Sequence, residues 1–255
     1  MELDSYKMSQ QQTKGYLLVA SKDPIYYSWA CNLIGGIKDY YPEAQICLVT
    51  EERFLDDRSN EADHVILCDN HYRAKLWALT QTPFDLTFYM DVDMEIIGEG
   101  IEGVFDELGD NDMMFTGLPR DRWHIFMDTE FPGGTFSLCG AVCLYRKSEK
   151  VIKFMQDWYD YYVEQYADRW WPLNSSGEFD DYLYPRYLKG WDQFTLWWLT
   201  EKAEEHKDVK VAIFEEDLRW NYWASLNRHT HPMPEGTVLL HLSCRATRNV
   251  SEIEI

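Results

Sequence analysis

The chain has 255 residues, a length that suits one large α/β domain or two small ones. It carries 24 basic and 44 acidic residues, a net charge of −20 that opposes loose, counterion-driven attachment to DNA, RNA or an anionic membrane. Its 45% hydrophobic and 16% aromatic content supplies a core and excludes bulk disorder, and no apolar run is long enough to span a membrane. In chain order, Met1–Lys14 is polar and Gln-rich without the apolar segment of a secretory signal, and reads as a flexible tail before a single domain over 15–255. Tyr16–Ala20 is a short apolar run suited to a strand buried on both faces. Asp23-Pro24 then supplies an N-cap and a first-position proline, and Ile25, Trp29, Leu33 and Ile37 mark one apolar stripe of a helix that Pro42 ends. Ile46–Thr50 and His64–Cys68 read as strands, Tyr72–Leu79 as a helix, and Leu86–Met90 as a fourth strand running directly into Asp91. Met113–Gly117 is a further strand candidate, 120–134 a loop, and Phe136–Tyr145 a strand broken at Gly140. Ser148 caps a helix with Val151, Met155, Trp158 and Tyr162 on one face; 170–187 is an irregular aromatic loop. A helix over Asp192–His206 and strands over Val209–Phe214 and Thr237–Leu242 complete the pattern. The alternation predicts an α/β fold whose mainly parallel sheet binds ligands at its carboxyl strand ends.

The six cysteines, Cys31, Cys47, Cys68, Cys139, Cys143 and Cys244, form no CxxC pair, which argues against zinc ribbons and thioredoxin chemistry. Buried free thiols in a reducing cytoplasm are expected, hence a cytoplasmic protein. The most informative feature is Asp91-Val92-Asp93. Such a triplet is common by chance, and Asp110-Asn111-Asp112 is a second one, but that one follows a glycine in a polar turn where aspartates are ordinary. Asp91 and Asp93 instead end an apolar strand, where two carboxylates are costly without a compensating cation. Strand alternation points both to one side of the sheet, a geometry that suits a hard divalent ion bridging to a diphosphate. A solvated strand end with capping duties is the simpler alternative. His229 and His231 sit among prolines with no third ligand nearby, and read as a solvated loop.

The run KLWALTQTPFDLTFYMDVDMEI, Lys75–Ile96, resembles the DxD region of GT-A nucleotide-sugar glycosyltransferases, nearest the glycogenin and galactosyltransferase-like group and related bacterial and viral nucleotide-diphospho-sugar transferases. Three more segments agree in order: Tyr16–Ser21 with the first strand, Gly190-Trp191-Asp192-Gln193 with the Asp-Gln segment opening a helix beside the donor sugar, and Val238–Ser243 with the late strand whose histidine completes the metal site. The resemblance spans about residues 15 to 245 and implies a GT-A fold, with 15–117 as the nucleotide-sugar half and 118–255 as the acceptor half. It implies a Mn²⁺ or Mg²⁺ ion on Asp91, Asp93 and His241, and a sugar moved from a nucleotide-diphosphate donor to a hydroxyl acceptor, the metal neutralising the leaving diphosphate. Ala20, Ser21, Arg73, Lys75 and Asp91 would bind the donor, and Asp192 with Gln193 would orient a hydroxyl or assist displacement.

Each residue also has a plainer reading. Lys75 suits a solvated helix face, His241 a core histidine and Asp192 a helix N-cap. The glycogenin-like branch follows its histidine with a glycine and then a lysine; here Leu242, Ser243 and Cys244 follow, leaving Arg245 or Arg248 to replace that lysine. Gly140 stands where relatives turn near the acceptor, and Trp170, Trp171 and Trp191 offer rings that stack on sugar faces. Nucleic-acid bases also stack on aromatics, but the charge disfavours that acceptor. The rivals are a sugar nucleotidyltransferase, which would normally carry a Gly-rich loop where Ala20-Ser21-Lys22-Asp23-Pro24 has none, and a non-catalytic carbohydrate-binding protein of the same fold.

Overall fold

A computed structural model describes residues 12–69, 73–117, 138–167, 192–224 and 232–242. Strands β1 (Lys14–Ala20), β2 (Ile46–Thr50), β3 (His64–Leu67) and β4 (Leu86–Met90) are connected through helices α1 (Pro24–Tyr40) and α2 (Ala74–Thr80). Next come β5 (Met94–Ile96), β6 (Met113–Gly117), β7 (Leu138–Arg146) and α3 (Glu149–Tyr166). The described remainder holds α4 (Asp192–Glu201), β8 (Val211–Ile213), α5 (Asp217–Trp220), β9 (Tyr222–Trp223) and β10 (Leu239–His241). Seven strands form one sheet in the order β3-β2-β1-β4-β7-β6-β8, in which only β7 runs against the others.

The apolar strand runs explain this sheet. Tyr16, Leu18 and Ala20 of β1 pack on one face with α1, while Leu17 packs on the other with Leu76 and Leu79 of α2 and Trp158 of α3. A strand apolar at every position is what a sheet covered on both faces requires. The predicted ends of β2, β4 and β6 coincide with the observed ones. β1 begins at Lys14, inside the expected tail, and the backbone N–H and hydroxyl of Thr13 already donate to Asp85 Oδ2, each at 2.9 Å.

Several local expectations change. Asp23 caps α1 as expected, its carboxylate accepting from Ile25 N at 2.9 Å, but the buried face is Tyr27, Ala30, Cys31, Leu33, Ile34 and Ile37, and Ile25 is exposed. A strict spacing of four drifts by about 40° per step around a helix of 3.6 residues per turn, so that stripe leaves the sheet at one end. The helix expected to His206 ends at Glu201, followed by a 3₁₀ turn over Glu204–His206. The break expected at Gly140 exists: Phe115 faces Cys143 but Thr116 faces Cys139, so β7 bulges over 140–142. The loops expected over 120–134 and 170–187 lie outside the described residues. Among the described residues no helix is long and apolar enough to cross a membrane.

The strand expected over Thr237–Leu242 is observed as β10, but it lies in a second, small sheet that the alternation does not predict, β5-β10-β9, with β10 antiparallel to β5 and parallel to β9. Its close packing is visible at Gly98, where a Cβ would stand 2.4 Å from the Thr237 carbonyl oxygen just before β10. Backbone cannot step aside as a side chain can, so Gly98→Ala should cost about 1–3 kcal/mol in urea unfolding. A loss below about 0.5 kcal/mol would show that this strand shifts freely.

Candidate active site

The small sheet matters because of where its register puts one histidine. β4 ends at Met90, Asp91 N donates to Ala141 O at 2.8 Å, and three residues later β5 starts at Met94. Met94 pairs with His241 of β10, and Leu242 N donates to Asp93 O at 2.9 Å. Two segments far apart in sequence are thereby locked with His241 Nε2 3.5 Å from Asp93 Oδ1. One ligand atom each from Asp91, Asp93 and His241 lie within 4.8 Å of one another. Two carboxylate oxygens and an imidazole nitrogen at that spacing could hold a divalent cation.

A cationic centre adjoins this triad. Lys75 Nζ lies 3.0 Å from Asp192 Oδ2 and 3.4 Å from Asp91 Oδ1, and donates to the Gly140 carbonyl at 3.3 Å. Burial alone would lower the Lys75 ammonium, but Asp192 and Asp91 outweigh it and raise it above its ordinary value. Burial pushes the Asp192 carboxyl up, yet Lys75 and Arg73 together hold it below the usual range. Asp91 goes the other way: burial dominates, Asp93 adds to it, and the carboxyl is raised despite Lys75. The Tyr89 hydroxyl donates to Asp91 Oδ1, and burial first, then Asp91, keeps that phenol protonated. Arg73 is raised chiefly by Asp192, and its guanidinium lies 6.0 Å from the Tyr162 ring centre.

Asp91, Asp93, Lys75, Arg73 and Tyr89 line a cavity of about 240 Å³ together with Val19, Ser21 and Tyr26. Its far wall turns without glycine: Lys22 takes a left-handed φ of 77°. The buried Glu51 carboxylate accepts the Lys22 N–H and pairs with Arg53 at 2.7 Å, while Arg53 also donates to the Lys22 carbonyl at 3.3 Å. These bonds hold a conformation that costs about 1 kcal/mol or more outside glycine.

Solved structures share this architecture. The glycosyltransferase GlyE of Streptococcus pneumoniae TIGR4 superposes with a TM-score of 0.56 at 12% identity, over 91% of this chain and 55% of that one. A glycosyltransferase involved in glycosylation of the major capsid of PBCV-1 gives 0.54 at 13% identity, over 94% of this chain and 98% of that one. The galactosyltransferase LgtC, in complex with donor and acceptor sugar analogs, gives 0.51 at 15% identity, over 88% and 86%. The fold is that of the GT-A glycosyltransferases. The chain spans about half the length of the pneumococcal enzyme. No protein-family model and no curated protein sequence matches it.

Within this GT-A fold the expected residues fall into groups. Asp91, Asp93 and His241 converge, and Lys75, Arg73 and Asp192 surround them. Lys75 is no solvated helix lysine, since only 12% of its side chain is exposed. Asp192 begins α4 and directs its carboxylate at Lys75, while its carbonyl accepts from Trp158 Nε1 at 2.9 Å; Gln193 beside it is half-buried. Ser21 lines the cavity, but Ala20 is fully buried and its carbonyl accepts from Thr50 Oγ1 at 2.7 Å. Gly140 is pinned against Trp158, 3.1 Å from where a Cβ would stand. Its carbonyl accepts from Lys75 Nζ at 3.3 Å. Trp170, Trp171, Trp191, Arg245 and Arg248 lie outside the described residues, as do His229 and His231. Sequence reasoning missed Tyr89, whose alternation within β4 sets it beside Asp91, and Asn221, which bonds His241.

Proposed function

We propose that the protein transfers a sugar from a nucleotide-diphosphate donor to a hydroxyl acceptor, with Mn²⁺ or Mg²⁺ held by Asp91, Asp93 and His241. The observation that carries this reading is the convergence of that triad at a cavity beside the carboxyl ends of β1 and β4. The cation would supply Lewis-acid neutralisation of charge growing on the leaving diphosphate. The chain's own residues do the rest. Tyr89 and Lys75 fix the Asp91 carboxylate from two directions, so its remaining lone pairs are aimed rather than free to rotate. Asp192, kept ionised by Lys75 and Arg73, accepts a hydrogen bond from a hydroxyl of the donor sugar and orients it; a carboxyl held below the usual carboxylate range is a poor proton donor.

All the described residues lining the cavity belong to 15–117, which supports assigning the donor to that half and the acceptor to 118–255. The donor half recruits Asp192 and His241 from the other. The glycine-free turn at Lys22 favours transfer over nucleotidyl exchange, for which a Gly-rich phosphate loop is the usual device. The compartment proposed is the cytoplasm, where buried thiols such as Cys47 and Cys143 stay reduced.

The test is a thermal-shift panel of nucleoside diphosphates and nucleotide sugars with and without Mn²⁺, followed by assay of donor hydrolysis. A Mn²⁺-dependent rise in melting temperature with at least one nucleotide, together with slow hydrolysis of its sugar, is expected. Stabilisation without any hydrolysis or transfer would favour the sugar-binding rival, and no response to any nucleotide would overturn the reading.

A further inference from the structure

We infer that Asn221 is the positioning residue of the metal centre, holding the His241 ring in the tautomer that leaves its Nε2 lone pair directed at the cation. This rests on the reading of Asp91, Asp93 and His241 as metal ligands. The geometry is a buried relay. His241 Nδ1 lies 2.9 Å from Asn221 Oδ1, and Asn221 Nδ2 donates to Thr116 Oγ1 at 2.8 Å and lies 3.6 Å from Cys139 Sγ. A carboxamide oxygen only accepts, so the proton of a neutral imidazole sits on Nδ1 and Nε2 is left bare. That bare nitrogen is the one 3.5 Å from Asp93 Oδ1.

Among the described residues, Asn221 is the one placed to do this work. Thr116 is fully buried, and Asn221 and His241 are each 3% exposed, so bulk water does not exchange for the amide. The Trp223 ring lies 4.0 Å from the imidazole centre and limits how far it can tilt, but a ring face does not choose a tautomer. The fold delivers the parts from separate places: Thr116 from β6, Cys139 from β7, and Asn221 from the residue between α5 and β9. β9 and β10 run parallel, with Trp223 opposite His241, which brings Asn221 to the far side of the ring from Asp93. An outer partner of this kind raises ligand basicity and prevents the metal-binding nitrogen from being the protonated one.

The experiment measures Mn²⁺ affinity of the full chain, without substrate, from the electron paramagnetic resonance signal of free Mn²⁺. Asn221→Leu should weaken Mn²⁺ binding by about 10- to 100-fold. Asn221→Asp presents an oxygen to Nδ1 in either orientation and should bind Mn²⁺ at least as tightly as wild type. In a His241→Ala background, Asn221→Leu should change the affinity no further, because Asn221 acts through the imidazole. Wild-type affinity in Asn221→Leu overturns the inference while leaving the metal site standing. So does an equal loss with and without His241, which would mark a merely structural residue. Should the leucine variant fail to fold, a tenfold weakening in Asn221→Asp overturns it. Wild-type protein that binds no Mn²⁺ ends both the metal reading and this inference.

Discussion

Replacing Asp91 and Asp93 together by asparagine is expected to lower Mn²⁺-dependent donor hydrolysis by about 10³-fold or more, because Lewis-acid stabilisation of the leaving diphosphate is worth several kcal/mol and each 1.36 kcal/mol is tenfold in rate. The folded state should survive. Asp91 is raised above its ordinary value, first by burial and then by Asp93, so without metal its negative charge is a burden that asparagine removes. The sign of the pH dependence follows. A carboxyl whose folded value is raised binds its proton more tightly in the native chain than in the unfolded one, so metal-free stability falls as pH climbs from the ordinary carboxylate value through the folded one. The double variant should lack that fall, and in chelator at neutral pH it should melt no lower than wild type. The added rise in melting temperature given to wild type by Mn²⁺ plus nucleotide should be absent from it. Undiminished Mn²⁺-dependent hydrolysis would sink the proposed metal site. A collapse in stability would instead make the two carboxylates structural.

How much of this could be read from the chain depended on the range of the interaction. β2, β4 and β6 are uninterrupted apolar or small-polar runs, and burial on both faces leaves a signal in every residue, so their ends were legible. Asp91 and Asp93 were legible because carboxylates at the end of such a run conflict with it. His241 and Asp192 came from resemblance to the family, since nothing local separates a ligand histidine from a core one. The buried face of α1 differs from the expected stripe because one spaced by four and one spaced by three and four look alike over two turns. β5 and β9 are three residues long or shorter, too brief for a period, and β10, legible as a strand within Thr237–Leu242, carries no local sign of its partners; the three form a sheet because they pair with one another. Register between such strands is a tertiary property. Asn221 was invisible for the same reason: its meaning is the distance to His241, which only that register creates.

Lys75→Met is the second change with a large expected effect, and it separates the cationic centre from the metal. Methionine keeps the unbranched apolar stem to within one atom and removes the charge that Asp91 and Asp192 share at 3.4 and 3.0 Å. Removing one partner of a buried ion pair leaves the other uncompensated and costs about 3–5 kcal/mol. Arg73 still faces Asp192, so the loss should fall toward the lower end, a melting temperature lower by about 6–10 °C for a chain of this size. In wild type the Asp192 carboxyl is depressed, against its burial, by Lys75 and then Arg73. A depressed carboxyl contributes stability above its unfolded value and loses it as pH falls through the folded value. The gap between wild type and variant, measured in chelator, should therefore be full at pH 7 and narrow as acid protonates the carboxylates the lysine used to balance. Lys75 is raised, so its contribution is present below its unfolded value and disappears as pH rises through the folded one. The gap should close on the alkaline side too. A gap that ignores pH would mean Lys75 supports the fold through its methylenes, and a gap below about 1 kcal/mol would mean Arg73 alone suffices for Asp192. Because Asp192 and Asp91 hang on the same ammonium, the variant should also lose donor turnover at saturating Mn²⁺, a loss that added metal cannot repair.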